Sequence, residues 1–367
     1  MQIQAALFRQ AHEPLSVELV DIDQPQGREV LVRTVATGVC HSDLHVIDGN
    51  VRSSALTDPS MVLGHEGAGI VEAIGEDVTY VQPGDHVVAC LSGFCGVCEQ
   101  CLSGHPNLCQ AGIQTKRVAG GPRLSQDGRS VGQLFSIASF AERMLLHENS
   151  VVKIDSEIPL DRAALVGCGV LTGVGAVLRT SGMQAGQTVA VFGCGGVGLS
   201  CVQGARIGGA SRIIAVDQFE SKREMALRAG ATDFVKSSED EPVAAIRALT
   251  QGRGVDHAFE AVGNTTLIRQ AIESLAIRGT ATIVGVPPAG AMIEFPFMAL
   301  RPECKVQTSR MGSNQFRTDI PRYLDFYRQG RLQLDEMISK RGHLADVNEA
   351  FRAMREGEVA RTVLTFD

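Results

Sequence analysis

The sequence predicts an α/β protein of two domains, one a doubly wound parallel sheet and the other rich in β-strands. Three observations predict it. The chain has 367 residues, more than one core ordinarily holds. Its first 150 residues carry short apolar runs punctuated by Gly, Pro and Asp. From about residue 188, strand-like and helix-like segments alternate, which builds a parallel sheet with right-handed crossovers.

In chain order, residues 30–35, 69–73 and 86–89 are apolar runs separated by turns such as Pro83-Gly84-Asp85, the pattern of short strands. Residues 180–205 are uncharged and long enough to cross a bilayer. Their seven Gly, with Gln184, Gln187 and Gln203, make a strand–turn–helix the better reading. Within them 188–192 reads as a buried strand and 197–207 as a helix. Strand 212–216, helix 221–229, strand 255–259, helix 267–275 and strand 280–284 follow. Beyond about residue 310 the chain reads as helix-rich and closes on a strand-like 361–366.

Apolar residues make up 44% and charged residues 20%, which excludes a disordered tail or a coiled coil. Lys plus Arg is 34 against 41 Asp plus Glu, a net charge of -7. Without long basic runs, that argues against binding nucleic acid through its phosphates. Residues 1–10 lack the basic-then-apolar layout of a signal peptide, so a reducing cytoplasm is the expected compartment. Ten Cys are there expected to be metal ligands or small buried residues rather than disulfides.

Three motifs carry chemistry. Cys95-x2-Cys98-x2-Cys101-x7-Cys109 places four thiols within a Gly- and Pro-containing loop. Zinc suits them, since four thiolates close a tetrahedral shell and leave no position for catalysis. An iron–sulfur cluster is the alternative, though nothing else in the chain suggests electron transfer. The second motif is dispersed: Cys40, His65 and Cys168 each lie within two residues of a Gly. Singly, such a Cys is more often a small core residue. Together the three would make a zinc shell with one open position, but spacing alone does not bring them together.

The third motif is Gly193-Cys-Gly-Gly-Val-Gly198, between a strand and a helix, the setting a dinucleotide fingerprint requires. Gly193 would make the tight turn, Gly195 would admit the pyrophosphate, and Gly198 would let the helix lie on the strand. Gly196 and Val197 open that helix, whose free N–H groups suit phosphate. Asp217 ends the next strand, nineteen residues after Gly198. A carboxylate there accepts hydrogen bonds from ribose hydroxyls and repels a 2′-phosphate, so NAD rather than NADP is expected.

With these motifs placed, the chain resembles the zinc-dependent medium-chain alcohol dehydrogenase family, almost end to end and in the family's motif order. The resemblance implies a Rossmann doubly wound parallel sheet plus a β-rich GroES-like catalytic domain with a structural zinc lobe. The expected bounds are 1–169 for the catalytic domain, with the lobe at about 90–112, 170–310 for the NAD-binding domain, and 311–367 for a return to the first. Two zinc ions per chain are implied. One would be catalytic, on Cys40, His65 and Cys168, the two-Cys, one-His set for which alcohol dehydrogenases are known. The other would be structural, on Cys95, Cys98, Cys101 and Cys109.

Other roles follow residue by residue. Glu66 is similar to the family's acid near the metal, and Asp43 to the carboxylate that orients the ligating His. Ser42 and His45 fall at proton-relay positions. Thr172 looks like a residue beside the nicotinamide ring, and Val284 and Val286 like the strand end that holds its carboxamide, with Val262 a further cofactor position. Asp217 and Lys222 would hold the adenosine ribose, and Arg361 would meet the pyrophosphate. His41 stands where many members carry Arg. Residues 116–140 do not match the formaldehyde-type or liver-type enzymes closely enough to fix a substrate, whereas 311–335 is similar to bacterial members acting on primary, aryl or terpenoid alcohols. Cys90, Cys194, Cys201 and Cys304 read as small apolar residues.

The expected activity is reversible NAD-linked oxidation of a primary alcohol to its aldehyde, with aryl, terpenoid and medium-chain alcohols as candidates. A metal-free reductase of the same fold and a non-catalytic dinucleotide-binding protein are the alternatives. The expected partners are the alcohol or aldehyde and a second copy of the chain, paired through residues 295–308. A tetramer is the other oligomer considered, and neither nucleic acid nor a membrane is expected.

Overall fold

The computed structural model describes residues 1–50, 60–110 and 120–366. The chain divides into two compact units. The first is Met1–Cys168 with Gln315–Asp325 and Ile338–Asp367, and the second is Gly169–Asn314 with Phe326–Met337. The tail expected to return whole from 311 is therefore divided. A side-chain clasp holds Phe326–Met337 to the second unit: Gln203 accepts from the Gln333 N–H at 2.6 Å and donates to its carbonyl at 3.1 Å. Of the lobe expected over 90–112, and of residues 116–140, positions 111–119 lie outside the described residues.

The first unit is β-rich. Strands Gln2–Phe8, Ser16–Ile22, Leu124–Gln126, Arg129–Gln133 and Met61–Val62 close into a barrel. A seven-stranded sheet runs Val151–Lys153, His86–Ala89, Glu66–Ile74, Glu29–Gly38, Arg361–Thr365 and Ile338–His343, with Arg143–His147 also on Glu29–Gly38. Its core is aliphatic with few aromatics; Phe140 meets Phe351 edge-on at 6.0 Å. Strand Ile338–His343 was not legible in the sequence. It is mostly exposed and carries Lys340 and Arg341, the charged pattern of an edge strand.

The second unit holds a six-stranded parallel sheet. Its order is Asp233–Lys236, Arg212–Asp217, Thr188–Phe192, Val255–Glu260, Leu275–Ile283, Lys305–Thr308. After Thr188 the middle strand Thr188–Phe192 is apolar and buried, because helices cover both faces of such a sheet. The order reverses at this strand, the switch point of a doubly wound fold. Helix Thr265–Glu273 starts two residues before the expected 267, because the Asn264 side chain caps the N–H groups of Thr266 and Leu267. The expected helix end at 275 is also corrected: Leu275 already pairs with Val255 and opens the strand. Among the described residues, no single helix is long and apolar enough to cross a membrane.

Candidate active site

The first unit gathers the dispersed motif. Cys40 lies between strand Glu29–Gly38 and the short helix His41–Ile47. His65 sits in the turn before strand Glu66–Ile74, where Gly64 has φ 84 and a Cβ would strike Ser139 and Phe140. Cys168 follows helix Leu160–Val166. The donor atoms of Cys40, His65, Glu66 and Cys168 lie within 4.8 Å of one another, all buried.

The chemistry of this cluster is that of a metal site. His65 Nδ1 lies 3.2 Å from Asp43 Oδ1, which also accepts the Gly64 N–H at 2.9 Å. That contact fixes the ring and leaves Nε2 without an oxygen or nitrogen partner, beside the Cys40 sulfur. Burial pushes the imidazole down, but Asp43 and Cys40 outweigh it and hold His65 up at about 10. The Cys40 thiol is held well below its ordinary value, chiefly by a hydrogen bond from Cys168 and against the cost of burial. A buried imidazole, two thiols and a carboxyl group on one spot are the donors a divalent cation binds once they give up their protons. Glu66 forms a buried ion pair with Arg361, the residue expected from the sequence to meet the pyrophosphate. Gly38 is required beneath this pair, since a Cβ there would meet both side chains.

Ser42 and His45 follow Cys40 on the same short helix, three residues apart and partly exposed, so they share a face. His41 is exposed. One neighbour was missed by the sequence reading. Phe135, at φ 51 and 47% exposed, sets its ring edge-on to His65 at 5.3 Å. Nothing in the residue pattern of 116–140 marks it, because its place depends on an unusual backbone angle.

The four-Cys motif converges as a second cluster, its sulfurs within 4.8 Å of one another. Cys95–Cys101, Cys98–Cys101 and Cys98–Cys109 sulfurs are 3.9, 3.5 and 3.9 Å apart. A tetrahedron with zinc–sulfur bonds of about 2.3 Å has edges of about 3.8 Å, so the four thiols fit one zinc. Backbone N–H groups of Val97 and Cys98 point at the Cys95 sulfur, at 3.5 and 3.4 Å.

In the second unit the fingerprint has its expected form. Gly193 turns at φ 94, and its N–H bonds the Val216 carbonyl at 2.8 Å. A Cβ on Gly198 would strike the Gly193 carbonyl, whereas beside Gly195 the space is open. Gly196 and Val197 open helix Gly196–Ile207. Asp217 accepts the Cys194 N–H at 2.7 Å and the Phe219 N–H at 3.0 Å. Lys222 is buried; burial lowers its ammonium and Asp217 opposes that. Thr172 donates to the Met311 sulfur at 3.4 Å. Val284 is bonded through its N–H to the Glu260 carbonyl, and Val262 and Val286 are exposed.

Comparison with known proteins agrees with this geometry. The family profile for an alcohol dehydrogenase GroES-like domain matches residues 26–156, and that for a zinc-binding dehydrogenase matches 196–328. The chain belongs to the zinc-dependent medium-chain alcohol dehydrogenases. It is 40% identical to S-(hydroxymethyl)glutathione dehydrogenase of Saccharomyces cerevisiae over 99% of this chain and 96% of that one. It is 37% identical to the NDMA-dependent alcohol dehydrogenase of Amycolatopsis methanolica over 99% of both. Among solved structures, benzyl alcohol dehydrogenase from Acinetobacter calcoaceticus matches with a TM-score of 0.91 and 34% identity, covering 100% of each chain. Zinc-dependent members of this family use NAD and two zinc ions, one catalytic and one structural, and the two donor clusters of this chain match those two ions in number and kind.

Proposed function

We propose that this dehydrogenase oxidises a primary alcohol to its aldehyde, and runs the reverse, with NAD rather than NADP. The observation that carries the reading is the buried meeting of Cys40, His65 and Cys168 on one spot. These three would hold the catalytic zinc; Cys95, Cys98, Cys101 and Cys109 would hold the structural one. Zinc, when bound, supplies a Lewis acid that makes an alcohol hydroxyl easier to deprotonate. NAD, when bound, accepts the hydride from the carbinol carbon.

The chain's own residues do the rest. Asp43 holds His65 Nδ1 so that Nε2 faces the thiols. Ser42 Oγ accepts the substrate's hydroxyl proton as its own proton moves on toward the His45 ring, one helical turn on, which releases a proton to solvent. Glu66, paired with Arg361, places a carboxyl group beside the donor cluster. In the second unit, the turn built on Gly193, Gly195 and Gly198 leaves room for the pyrophosphate. His41 lacks the planar, always-charged fork of an Arg and would grip phosphate less. Asp217 and Lys222 hold the adenosine ribose, and Thr172, Val262, Val284 and Val286 line the nicotinamide. Phe135, an aromatic edge beside His65, favours aryl alcohols.

A second substrate is favoured by the relatives, several of which are S-(hydroxymethyl)glutathione dehydrogenases at 38–40% identity. Initial rates of NAD reduction across linear, branched, aryl and terpenoid alcohols, with S-(hydroxymethyl)glutathione as a further arm, decide between them. Turnover of a primary alcohol is expected; no turnover on any of these would overturn the proposal. The protein is further proposed to be cytoplasmic and homodimeric. Strand Lys305–Thr308 is the open edge of the parallel sheet, and Phe297 and Met298 nearby are 81% and 83% exposed.

A further inference from the structure

Glu260 ends strand Val255–Glu260 and is fully buried. Its Oε1 accepts three successive backbone N–H groups, from Val262 at 3.0 Å, Gly263 at 2.8 Å and Asn264 at 3.2 Å. Its backbone carbonyl accepts two more, from Val284 at 2.8 Å and Gly285 at 2.9 Å. One residue thus ties together the turns that follow two neighbouring strands. Its Oε2 has no hydrogen-bond partner. Burial pushes the carboxyl up against the pull of the three N–H groups, so the group is costly to keep and does not stabilise the unit by charge pairing.

The two turns pack backbone on backbone. Gly263 lies at φ 85, and a Cβ there would strike the Val286 main chain; one on Gly285 would strike the main chain of Val262 and Gly263. Val262 in turn lies against Gly193, the first glycine of the fingerprint. Yet Val262 and Val286 are 50% and 69% exposed, so this rigid pair of apolar side chains faces outward. A dinucleotide in such a sheet lies across the carboxyl ends of the strands, one half on each side of the strand where the order reverses. That strand is Thr188–Phe192; Asp217 ends its neighbour on one side and Glu260 its neighbour on the other.

We propose that Glu260 is a positioning residue for the nicotinamide half of the cofactor: by clamping residues 262–264 and 284–285 it holds Val262 and Val286 as a fixed apolar seat. The assignment rests on the dinucleotide reading of the fingerprint. It is tested by comparing the affinities of parent, Glu260→Gln, Glu260→Asp and Glu260→Leu for NADH and for AMP, which carries only the adenosine end. NADH is followed by its own fluorescence, since the chain has no Trp, and AMP by calorimetry.

Gln keeps an acceptor oxygen in place, so NADH affinity is expected within about threefold of the parent. Asp falls short of the N–H groups and Leu offers no acceptor. Each should weaken NADH by about tenfold or more, with AMP changed by less than about twofold. Equal losses for NADH and AMP, or NADH binding kept in both Asp and Leu, would overturn the assignment. So would a loss in Gln as large as in Leu. Failure of both Asp and Leu to fold would also overturn it, because the role would then belong to the core. A parent that binds neither ligand would overturn the dinucleotide reading itself, and its own titration tells that outcome from the others.

Discussion

Removing one thiol from the buried cluster leaves the other donors standing around an incomplete shell. Cys40→Ala is expected to lower alcohol oxidation by about a thousandfold or more, since several kcal/mol of charge stabilisation go with the ion. NADH affinity should stay within about threefold, because the fingerprint is built from other residues in another compact unit. Normal turnover in a steady-state assay would contradict the ligand role. Asp217→Gly tests the ribose role. A like-charge contact between Asp217 and a 2′-phosphate costs on the order of a few kcal/mol, so its removal should raise the NADP-to-NAD ratio of kcat/KM by about tenfold or more. An unchanged ratio would take Asp217 out of that role. Both residues were legible as candidates, Cys40 from the turn that follows Gly38 and Asp217 from its place at the end of the strand after the fingerprint. Phe135 and Glu260 were not legible. The first depends on a backbone angle, and the second on three N–H groups that only the folded turn brings to one oxygen.

Elements were readable where one physical signal dominated. Strand Thr188–Phe192, buried from Val189 onward, has the bounds its apolar run predicts. Helix Thr265–Glu273 was misplaced by two residues at each end, because the Asn264 cap and the pairing of Leu275 with Val255 outweigh helical periodicity. Strand Ile338–His343 gave no signal, since an edge strand with charged side chains lacks alternation. At the opposite end of the parallel sheet from the fingerprint, Asp256 accepts the Thr188 N–H and hydroxyl, both at 2.8 Å, and pairs with Arg253 at 2.7 Å. Burial pushes its carboxyl up, but Arg253 and Thr188 outweigh that and bring it down to about 2 from 3.8. A depressed carboxyl adds stability above its unfolded value and loses it as pH falls toward the folded one. Asp256→Asn should therefore lower Tm near neutral pH, and the gap to the parent should narrow between about pH 4 and about pH 2. A gap independent of pH would contradict this account.

At the scale of the molecule, the first unit carries both donor clusters and the second carries the fingerprint. Order along the chain revealed the second directly, because the fingerprint is contiguous. It revealed the four-Cys cluster for the same reason. The catalytic cluster could only be suspected, since its donors are separated by 25 and 103 positions and their meeting depends on the sheet that carries Gly38 and Glu66 side by side. That convergence is the central claim, and zinc content per chain tests it most directly. Metal analysis of the purified protein is expected to give two zinc ions per chain, falling to one in Cys168→Ser while the four-Cys lobe keeps its own. One zinc or none in the parent, or two retained in Cys168→Ser, would contradict it.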